Sequence, residues 1–287
     1  SPTLPDMKKG MTVMYSLDQA FFEIWNRKLA GTLVPVFSLR TKESAGIGDF
    51  GDLKMMIDLM AKTGQRVLQL LPINDTTITH TWTDSYPYSC ISIFAIHPQY
   101  ADLRALPELE DEEARREAEA ERSQLNALPQ IDYEKVNAFK SGYLRKVFQQ
   151  EGKKIMKSAE FKAFFQETQS WLVPYAQYSW LRDEYGTADF TQWKDHNTWN
   201  EDDRAMLSDS RTKEYQEVAF YYFVQYVLSS QMKAAHEYAK QKGVILKGDI
   251  PIGVNRYSCD VWMEPKYFNL NGQAGAPPDD FSVNGQN

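Results

Sequence analysis

Apolar and polar positions divide the chain into two regions of short apolar runs, with a long helical region between them. Residues 33–39 are mostly apolar, which predicts a buried strand although Pro35 lies within the run. Residues 66–71 predict a second strand. Between the two, Asp49 can cap a helix whose apolar residues recur at helical spacing: Phe50, Leu53, Ile57 and Met60. Strand, helix and strand in this order predict the βαβ unit of a parallel sheet.

The middle of the chain, residues 101–241, has the residue spacing of helices. Residues 110–124 are rich in Glu, Arg and Ala, which favours a solvated helix over a binding patch. Residues 219–238 predict a long, aromatic-rich amphipathic helix. The run 244–251 that follows predicts a third strand, which delivers Asp249 to a strand end. We interpret the helical region as an insertion between the second and third strands.

These elements predict an α/β fold, namely the first three strands of a TIM (β/α)8 barrel with a large helical insertion between strands 2 and 3. Four segments follow from this interpretation. They are a lead-in or linker over 1–30, the first part of the barrel over 31–100, a helical subdomain over 101–242, and the third strand with its following loop over 243–287.

Composition and charge limit the possible partners of the chain. The formal net charge is -7 and no cluster of Lys and Arg is visible, so a nucleic-acid footprint is not expected. Two cysteines, Cys90 and Cys259, provide neither a disulfide framework nor a metal-binding spacing. No run approaches the roughly 18 apolar residues of a membrane helix, and no signal peptide is recognisable. We therefore expect a cytoplasmic protein that does not bind membranes.

Candidate chemistry gathers after the second strand, because the loops at the carboxyl ends of parallel strands converge on one mouth. Trp82, Tyr86 and Tyr88 lie there beside Asp84 and Ser85. Aromatic faces stack on pyranose rings while carboxylates and hydroxyls bind sugar hydroxyls, so this set suits a carbohydrate. An aromatic loop that merely packs over the rim of the sheet is an equally good interpretation of the composition.

The other two strand ends carry weaker signals. Asp249 follows a continuous apolar run, which favours a functional carboxylate, although a carboxylate at a strand end can also cap the next turn. The loop over 40–50 contains glycines that would permit close approach of the backbone to a ligand, but glycines alone are weak support.

Five segments of the chain, in order, resemble the 4-α-glucanotransferases, or amylomaltases, and most closely their disproportionating-enzyme-2 branch. The likeness is good over 30–100 and 243–287, whereas the helical region is matched only in kind. The segments are residues 34–40 (VPVFSLR), 69–76 (QLLPINDT), 84–89 (DSYPYS), 248–254 (GDIPIGV) and 275–279 (GAPPD).

The resemblance implies roles for residues whose motifs match. Tyr88 resembles the aromatic residue that meets the sugar beside the scissile bond, and Asp84 and Ser85 would line the donor side. Asp249 resembles the strand-three acid that supports the same subsite without attacking the sugar. The loop that folds over bound glucan would contain four further substrate-binding residues, and the family usually has Tyr at the second of these positions: Asp279, Asp280, Phe281 and Ser282.

The α-amylases are the natural rival family, and one motif separates the two. Their third-strand motif places Asn and His four and five residues after the aspartate, where this chain has Gly253 and Val254. The histidine contact with the sugar is therefore missing. This favours a glucanotransferase over an amylase-type hydrolase.

The family resemblance also implies a reaction. It is the retaining transfer of α-1,4-glucosyl or glucan segments from maltose and maltooligosaccharides to a sugar acceptor, and it requires no metal or organic cofactor. Asp75, Asp84 and Asp249 do not match the family's nucleophile or acid, so no catalytic residue is assigned here. We expect the catalytic carboxylates beyond Asn287, the remainder of the barrel as a partner, starch-binding modules ahead of Ser1, and an inactive isolated segment.

A non-catalytic glucan-binding protein is the second class of hypothesis. It would hold sugar with Trp82, Tyr86 and Tyr88 and would not carry out transfer. Three strands of a barrel leave an open edge and an uncovered apolar face, which invites aggregation. A closed, covered sheet would support this alternative, whereas an open sheet with exposed apolar residues would favour the barrel segment.

Overall fold

A β-hairpin lies near the start of the chain, within the segment predicted as a linker over 1–30. The computed structural model describes residues 12–17, 20–25, 28–272, 275, 277, 278 and 283. Strands β1 (Thr12–Leu17) and β2 (Ala20–Trp25) pair antiparallel. The sequence between them, Asp18-Gln19, lacks the glycine that usually signals a tight hairpin. Without that signal the pairing was not foreseen.

Three short strands form a parallel sheet: β3 (Gly31–Leu33), β4 (Val67–Gln69) and β5 (Ile245–Lys247). Strand β4 lies between the other two, and its buried Leu68 stands opposite Thr32 on one side and Leu246 on the other. Helices connect the strands, as parallel pairing requires. The predicted α/β class with three parallel strands is therefore confirmed.

The bounds of the first sheet strand were predicted wrongly. The predicted run 33–39 contributes only Leu33 to β3, and Val36–Ser38 forms a 3-10 turn instead. Pro35 precedes the turn with φ -64° and has no N–H to donate to a sheet. Val36 is nevertheless buried, so the apolar run reflects burial within the turn, whereas Leu33 on β3 is 50% exposed. The second and third strands are likewise shorter than the predicted 66–71 and 244–251.

Helix α1 (Phe50–Lys62) has the predicted cap. The Asp49 side chain accepts hydrogen bonds from the N–H groups of Gly51 and Asp52, and the Asp52 side chain accepts one from the Asp49 N–H. This reciprocal pair satisfies backbone donors that a helix start leaves free. Beyond the end of the helix, Gly64 has φ +76°, a conformation in which only glycine is unstrained. The predicted helix and both of its boundary signals are confirmed.

Five helices lie between β4 and β5 along the chain, followed by a short seventh after β5. The highly charged α2 is mostly exposed, as predicted, while α6 packs against α1, α3 and α4 and forms the centre of the helical core. Aromatic residues fill much of this core, as their helical spacing indicated. The helices are α2 (Glu112–Ala127), α3 (Tyr133–Ile155), α4 (Ala159–Tyr185), α5 (Glu201–Leu207), α6 (Lys213–Gln241) and α7 (Cys259–Met263).

Among the described residues, the three-stranded sheet has two unpaired edges. In the described part of the chain β3 and β5 each have a single hydrogen-bonded neighbour, β4. Leu33 on β3 is 50% exposed and Ile252, after β5, is fully exposed. Among the helices described, none combines the length and apolar character needed to cross a bilayer.

Candidate functional site at the strand ends

The carboxyl ends of β4 and β5 bring Tyr88 and Asp249 into direct contact. The Tyr88 hydroxyl donates a hydrogen bond of 2.7 Å to Asp249 Oδ2, and Asp249 Oδ1 accepts the N–H of Ile250 at 3.0 Å. The hydrogen bond to Asp249 raises the pKa of Tyr88, so the phenol stays protonated as the donor. Two residues that the sequence placed on separate strand ends therefore form one unit.

The loops that carry these two residues are hydrogen-bonded to each other along their length. Asn255 donates its N–H to the Cys90 carbonyl at 2.8 Å and its Nδ2 to Ser89 Oγ at 3.0 Å. These hydrogen bonds hold the two loops in a fixed position relative to each other. Two further bonds join them, from Cys259 N–H to the Ile91 carbonyl (2.9 Å) and from Ile93 N–H to Asp260 Oδ2 (2.9 Å).

Asn255→Ala is expected to lower the free energy of unfolding by about 1 to 2 kcal/mol. The substitution removes the bond to Ser89 and leaves the Tyr257 N–H, which donates to Asn255 Oδ1 at 2.9 Å, without its acceptor. Urea unfolding measures the loss. Asn269→Ala is the control, because exposed Asn269 accepts one local bond, from the Asn271 N–H. Equal losses in both variants would contradict the bridging role of Asn255.

Asp84 is buried and its carboxylate already binds backbone groups. Asp84 Oδ2 accepts the N–H groups of Ile78, Thr79 and His80 at 3.1, 2.9 and 2.7 Å. Three successive amides directed at one anion form a nest, which suits a carboxylate. His80 has φ 59° at this turn, so the carboxylate also holds a conformation that non-glycine residues seldom adopt. The predicted place of Asp84 on the donor side remains a prediction.

The aromatic residues of the same loop face solvent. Trp82 and Tyr86 are 67% and 62% exposed, and the rings of Tyr86 and Tyr88 lie 5.6 Å apart, tilted by 49°. Ser85 is half-buried at the end of the 3-10 turn Trp82–Ser85. Both rings therefore have exposed faces, and their predicted contact with a sugar remains a prediction.

A second polar cluster lies beneath the loop, centred on buried Asp75. Thr77 donates its N–H (3.0 Å) and its hydroxyl (2.6 Å) to Asp75 Oδ1, and the Tyr175 hydroxyl donates to Oδ2 at 2.6 Å. Burial alone would raise the pKa of Asp75, but neighbouring His97 and Arg182 and these hydrogen bonds outweigh it and hold the pKa below its ordinary value. Asp75 is thus a charged structural centre of the loop.

The residues of the helical region that hold this loop were not predicted from the sequence. Tyr175, Tyr178 and Arg182 lie on α4 at positions i, i+3 and i+7 and are all buried. That spacing is a helical face, which we interpreted only as core. The available signal in the sequence was an arginine on an otherwise aromatic helical face. An arginine on a face that packs into the core needs a partner, because arginine is almost never buried without one.

The loop after β3 binds other parts of the chain. A Cβ at Gly48 would lie 1.9 Å from the Val36 carbonyl oxygen, so glycine is required there by the approach of the protein's own backbone. Arg122 and Asn126 on α2 donate hydrogen bonds to backbone carbonyls within 41–44. The glycines of this loop therefore have a packing role in the structure.

Among the described residues no group of three or more His, Cys, Asp or Glu side chains could hold a metal ion, and Cys90 and Cys259 are free and buried. The predicted glucan-covering residues lie outside the described residues, so their role stays a prediction: Asp279, Asp280, Phe281 and Ser282.

Comparison with known proteins gives a consistent family. The family model described as 4-alpha-glucanotransferase matches residues 34–287. The 4-alpha-glucanotransferase DPE2 of Oryza sativa subsp. japonica is 42% identical over 258 residues, which are 90% of this chain and 27% of that protein. The 4-alpha-glucanotransferase of Chlamydia muridarum (strain MoPn / Nigg) is 34% identical over 270 residues, 92% of this chain and 50% of that protein. The chain thus spans half or less of these relatives.

Solved structures show a similar fold. The amylomaltase from Streptococcus agalactiae in complex with acarbose matches with a TM-score of 0.73 and 24% identity, over 91% of this chain and 52% of that one. The amylomaltase from Corynebacterium glutamicum matches with a TM-score of 0.70 and 20% identity, over 90% of this chain and 35% of that one. At these identities the likeness concerns the fold.

Proposed function

Since this chain belongs to the 4-alpha-glucanotransferase family, whose model matches residues 34–287, we propose that it forms the donor-binding part of such an enzyme. The whole enzyme would transfer α-1,4-glucosyl or glucan segments from maltose or maltooligosaccharides to a sugar acceptor by retaining double displacement. The alternatives, an α-amylase-type hydrolase and a non-catalytic glucan-binding protein, are not favoured by the family match.

The hydrogen bond between Tyr88 and Asp249 carries this proposal. It joins the family motif after β4 to the motif after β5 at 2.7 Å. Because the bond fixes both side chains before a ligand arrives, the cost of ordering them is not incurred on binding. A preorganised phenol and carboxylate beside exposed aromatic rings support a pyranose subsite, in which the rings stack and the oxygens bind hydroxyls.

Asp249 has acceptor capacity left for a sugar. Each carboxylate oxygen can accept about two hydrogen bonds, and in the described residues Oδ1 receives one from Ile250 and Oδ2 one from Tyr88. A glucosyl hydroxyl could therefore donate to Asp249 without displacing Tyr88. In this proposal Asp249 supports the subsite and does not attack the anomeric carbon.

The two catalytic carboxylates are proposed to come from outside this chain. Retaining transfer needs a nucleophile and an acid about 5 to 5.5 Å apart across the scissile bond. Asp75 and Asp84 have their oxygens bound by neighbouring donors, and Asp75 is 1% exposed. Neither is free to attack a sugar or to protonate its leaving oxygen, and no metal or organic cofactor is proposed.

The remaining partners follow from the open sheet. We propose that the unpaired sides of β3 and β5 are completed by the other strands of a (β/α)8 barrel, and that residues 279–282 fold over bound glucan. Coverage of 27% of the rice relative leaves room for additional domains, for which starch-binding modules are proposed. The proposed compartment is the cytoplasm, based on the free cysteines Cys90 and Cys259.

Binding of an α-1,4 glucan to this polypeptide tests the proposed subsite. Calorimetric titration with maltopentaose is expected to give a dissociation constant in the range of about 1 mM, because the Tyr88–Asp249 unit is already formed. Cellopentaose, which has the same ring number but β-1,4 links, is the matched control and should bind more weakly. Equal affinity for both sugars, or no binding of maltopentaose, would refute a specific α-glucan subsite.

An activity assay tests the proposed location of the catalytic carboxylates. With maltose as sole substrate, the polypeptide by itself is expected to release no glucose above the buffer control. Turnover at the rate of a full-length relative would show that the carboxylates lie within residues 1–287.

A further inference from the structure

One face of α4 contacts both loops of the proposed site. The Tyr175 hydroxyl donates to Asp75 Oδ2 at 2.6 Å, and Arg182 donates to the Thr77 carbonyl at 2.9 Å. Asp75 and Thr77 belong to the loop after β4, which goes on to carry Tyr88. The same helix therefore binds the base of the Tyr88 loop through two residues that are seven positions apart.

Between those two residues, Tyr178 reaches the other loop. Its hydroxyl donates a hydrogen bond to the Tyr257 carbonyl, which lies in the segment after β5 that begins with Asp249. The Tyr178 ring is fully buried and packs at 5.7 Å from Trp193 and 6.0 Å from Trp262. Because the ring is enclosed on both sides, its hydroxyl has a fixed direction.

Helix α6 reinforces the same arrangement. Gln225, which is buried, exchanges two hydrogen bonds with Ile96, accepting its N–H at 2.9 Å and donating to its carbonyl at 2.8 Å. Its Nε2 also lies 3.2 Å from the Tyr175 hydroxyl. Gln225 thus holds the far end of the Tyr88 loop, at Ile96. It also contacts Tyr175, which holds the near end of the same loop at Asp75.

We propose that α4 positions the Tyr88–Asp249 pair, with Tyr175 and Tyr178 as positioning residues that set the separation of the two loops. This inference rests on the proposed donor-binding function. The hydrogen bonds from α4 add to the direct hydrogen bonds between the loops, and they tie the placement of both loops to the helical core. The helical region thereby acquires a role in the site, because it holds the two loops that carry the pair.

A purely structural role for these tyrosines makes different predictions. If their hydroxyls only stabilised the fold, their loss would lower stability without a specific change in the loops. A positioning role requires that the loops become more mobile while the rest of the protein is unchanged, and that ligand affinity falls more than in an equally destabilised control.

Tyr178→Phe removes the hydroxyl and keeps the buried ring. We expect amide hydrogen exchange over residues 249–260 and 88–93 to be about fivefold faster or more, with the exchange of α1 and α6 unchanged. Maltopentaose affinity is expected to fall about three- to tenfold, as for the loss of one hydrogen bond that orders the site. Tyr175→Phe should show the same behaviour over residues 74–78 and 95–97.

Tyr238→Phe is the matched control. The Tyr238 hydroxyl donates to the Asp58 carboxylate at 2.7 Å, so its loss also removes a tyrosine–carboxylate bond, but between α6 and α1. Exchange in the two loops and maltopentaose affinity should remain those of the parent protein.

Uniformly faster exchange in all three variants, or unchanged loops in Tyr178→Phe and Tyr175→Phe, would overturn the positioning role. The exchange is measured without ligand, so this outcome is separate from that of the donor-binding proposal, which fails if the parent protein does not bind maltopentaose.

Discussion

Asp249→Ala is expected to weaken maltopentaose binding by about tenfold or more. The substitution removes the carboxylate that would accept a glucosyl hydroxyl, and it also releases the Tyr88 hydroxyl from its 2.7 Å hydrogen bond. The aromatic ring of Tyr88 then loses the constraint that fixes its orientation. Calorimetric titration measures the affinity, and thermal unfolding verifies that the half-buried position tolerates alanine.

Two further variants define what Asp249 contributes. Glu117→Ala removes an equal charge from the exposed face of α2 and should leave the affinity unchanged, which separates a local contact from the effect of net charge. Tyr88→Phe keeps the ring and removes the hydrogen bond, so its loss of affinity should be smaller. A double-mutant cycle over the two positions should show coupling, since they are in direct contact. Additive effects would contradict a single preorganised unit.

Asp75→Ala is expected to lower the free energy of unfolding by about 3 to 5 kcal/mol. The substitution leaves the Tyr175 hydroxyl and the Thr77 donors without their acceptor, and it removes a negative charge near buried Arg182. Urea unfolding measures the change. Asp195→Ala, at an exposed position, is the control and should change stability by less than about 0.5 kcal/mol. A loss below about 1 kcal/mol for Asp75→Ala would contradict the central role of the cluster.

The same cluster sets a pH dependence of stability. The pKa of Asp75 is lowered in the folded protein, so its stabilising contribution is fully present above the unfolded-state pKa of about 3.9 and is lost as pH falls through the folded-state value. Asp75→Asn should therefore lose less stability than the parent protein when the pH is lowered from about 5 to about 2. An unchanged pH dependence of stability in Asp75→Asn, relative to the parent protein, would contradict the assignment.

Local signals accounted for the elements that were predicted well. The cap at Asp49 and the glycine at Gly64 lie within a few residues of the groups they satisfy, so α1 could be placed from the sequence. The first sheet strand was misplaced because an apolar run indicates burial and not the type of element, and Val36 is buried within the 3-10 turn Val36–Ser38. The hairpin β1–β2 was missed because its connecting residues carry no turn signal.

The candidate site likewise has residues that could be predicted from the sequence and contacts that only the structure shows. Tyr88 and Asp249 could each be proposed from their place after a strand, because strand ends converge in any parallel sheet. Their hydrogen bond joins residues 161 positions apart, and no local pattern specifies such a contact. The nest around Asp84 depends on three backbone N–H groups whose directions are fixed only once the loop has folded.

The sequence by itself determined the family, the α/β class, the parallel strands and the two residues at the centre of the proposed subsite, because motifs and periodicity are properties of neighbouring residues. Tertiary structure alone decided which side chains meet. It committed the oxygens of Asp75 and Asp84 to neighbouring donors, joined Tyr88 to Asp249, and turned a face of α4 toward both loops. Such contacts depend on how distant segments pack, which a linear pattern does not encode.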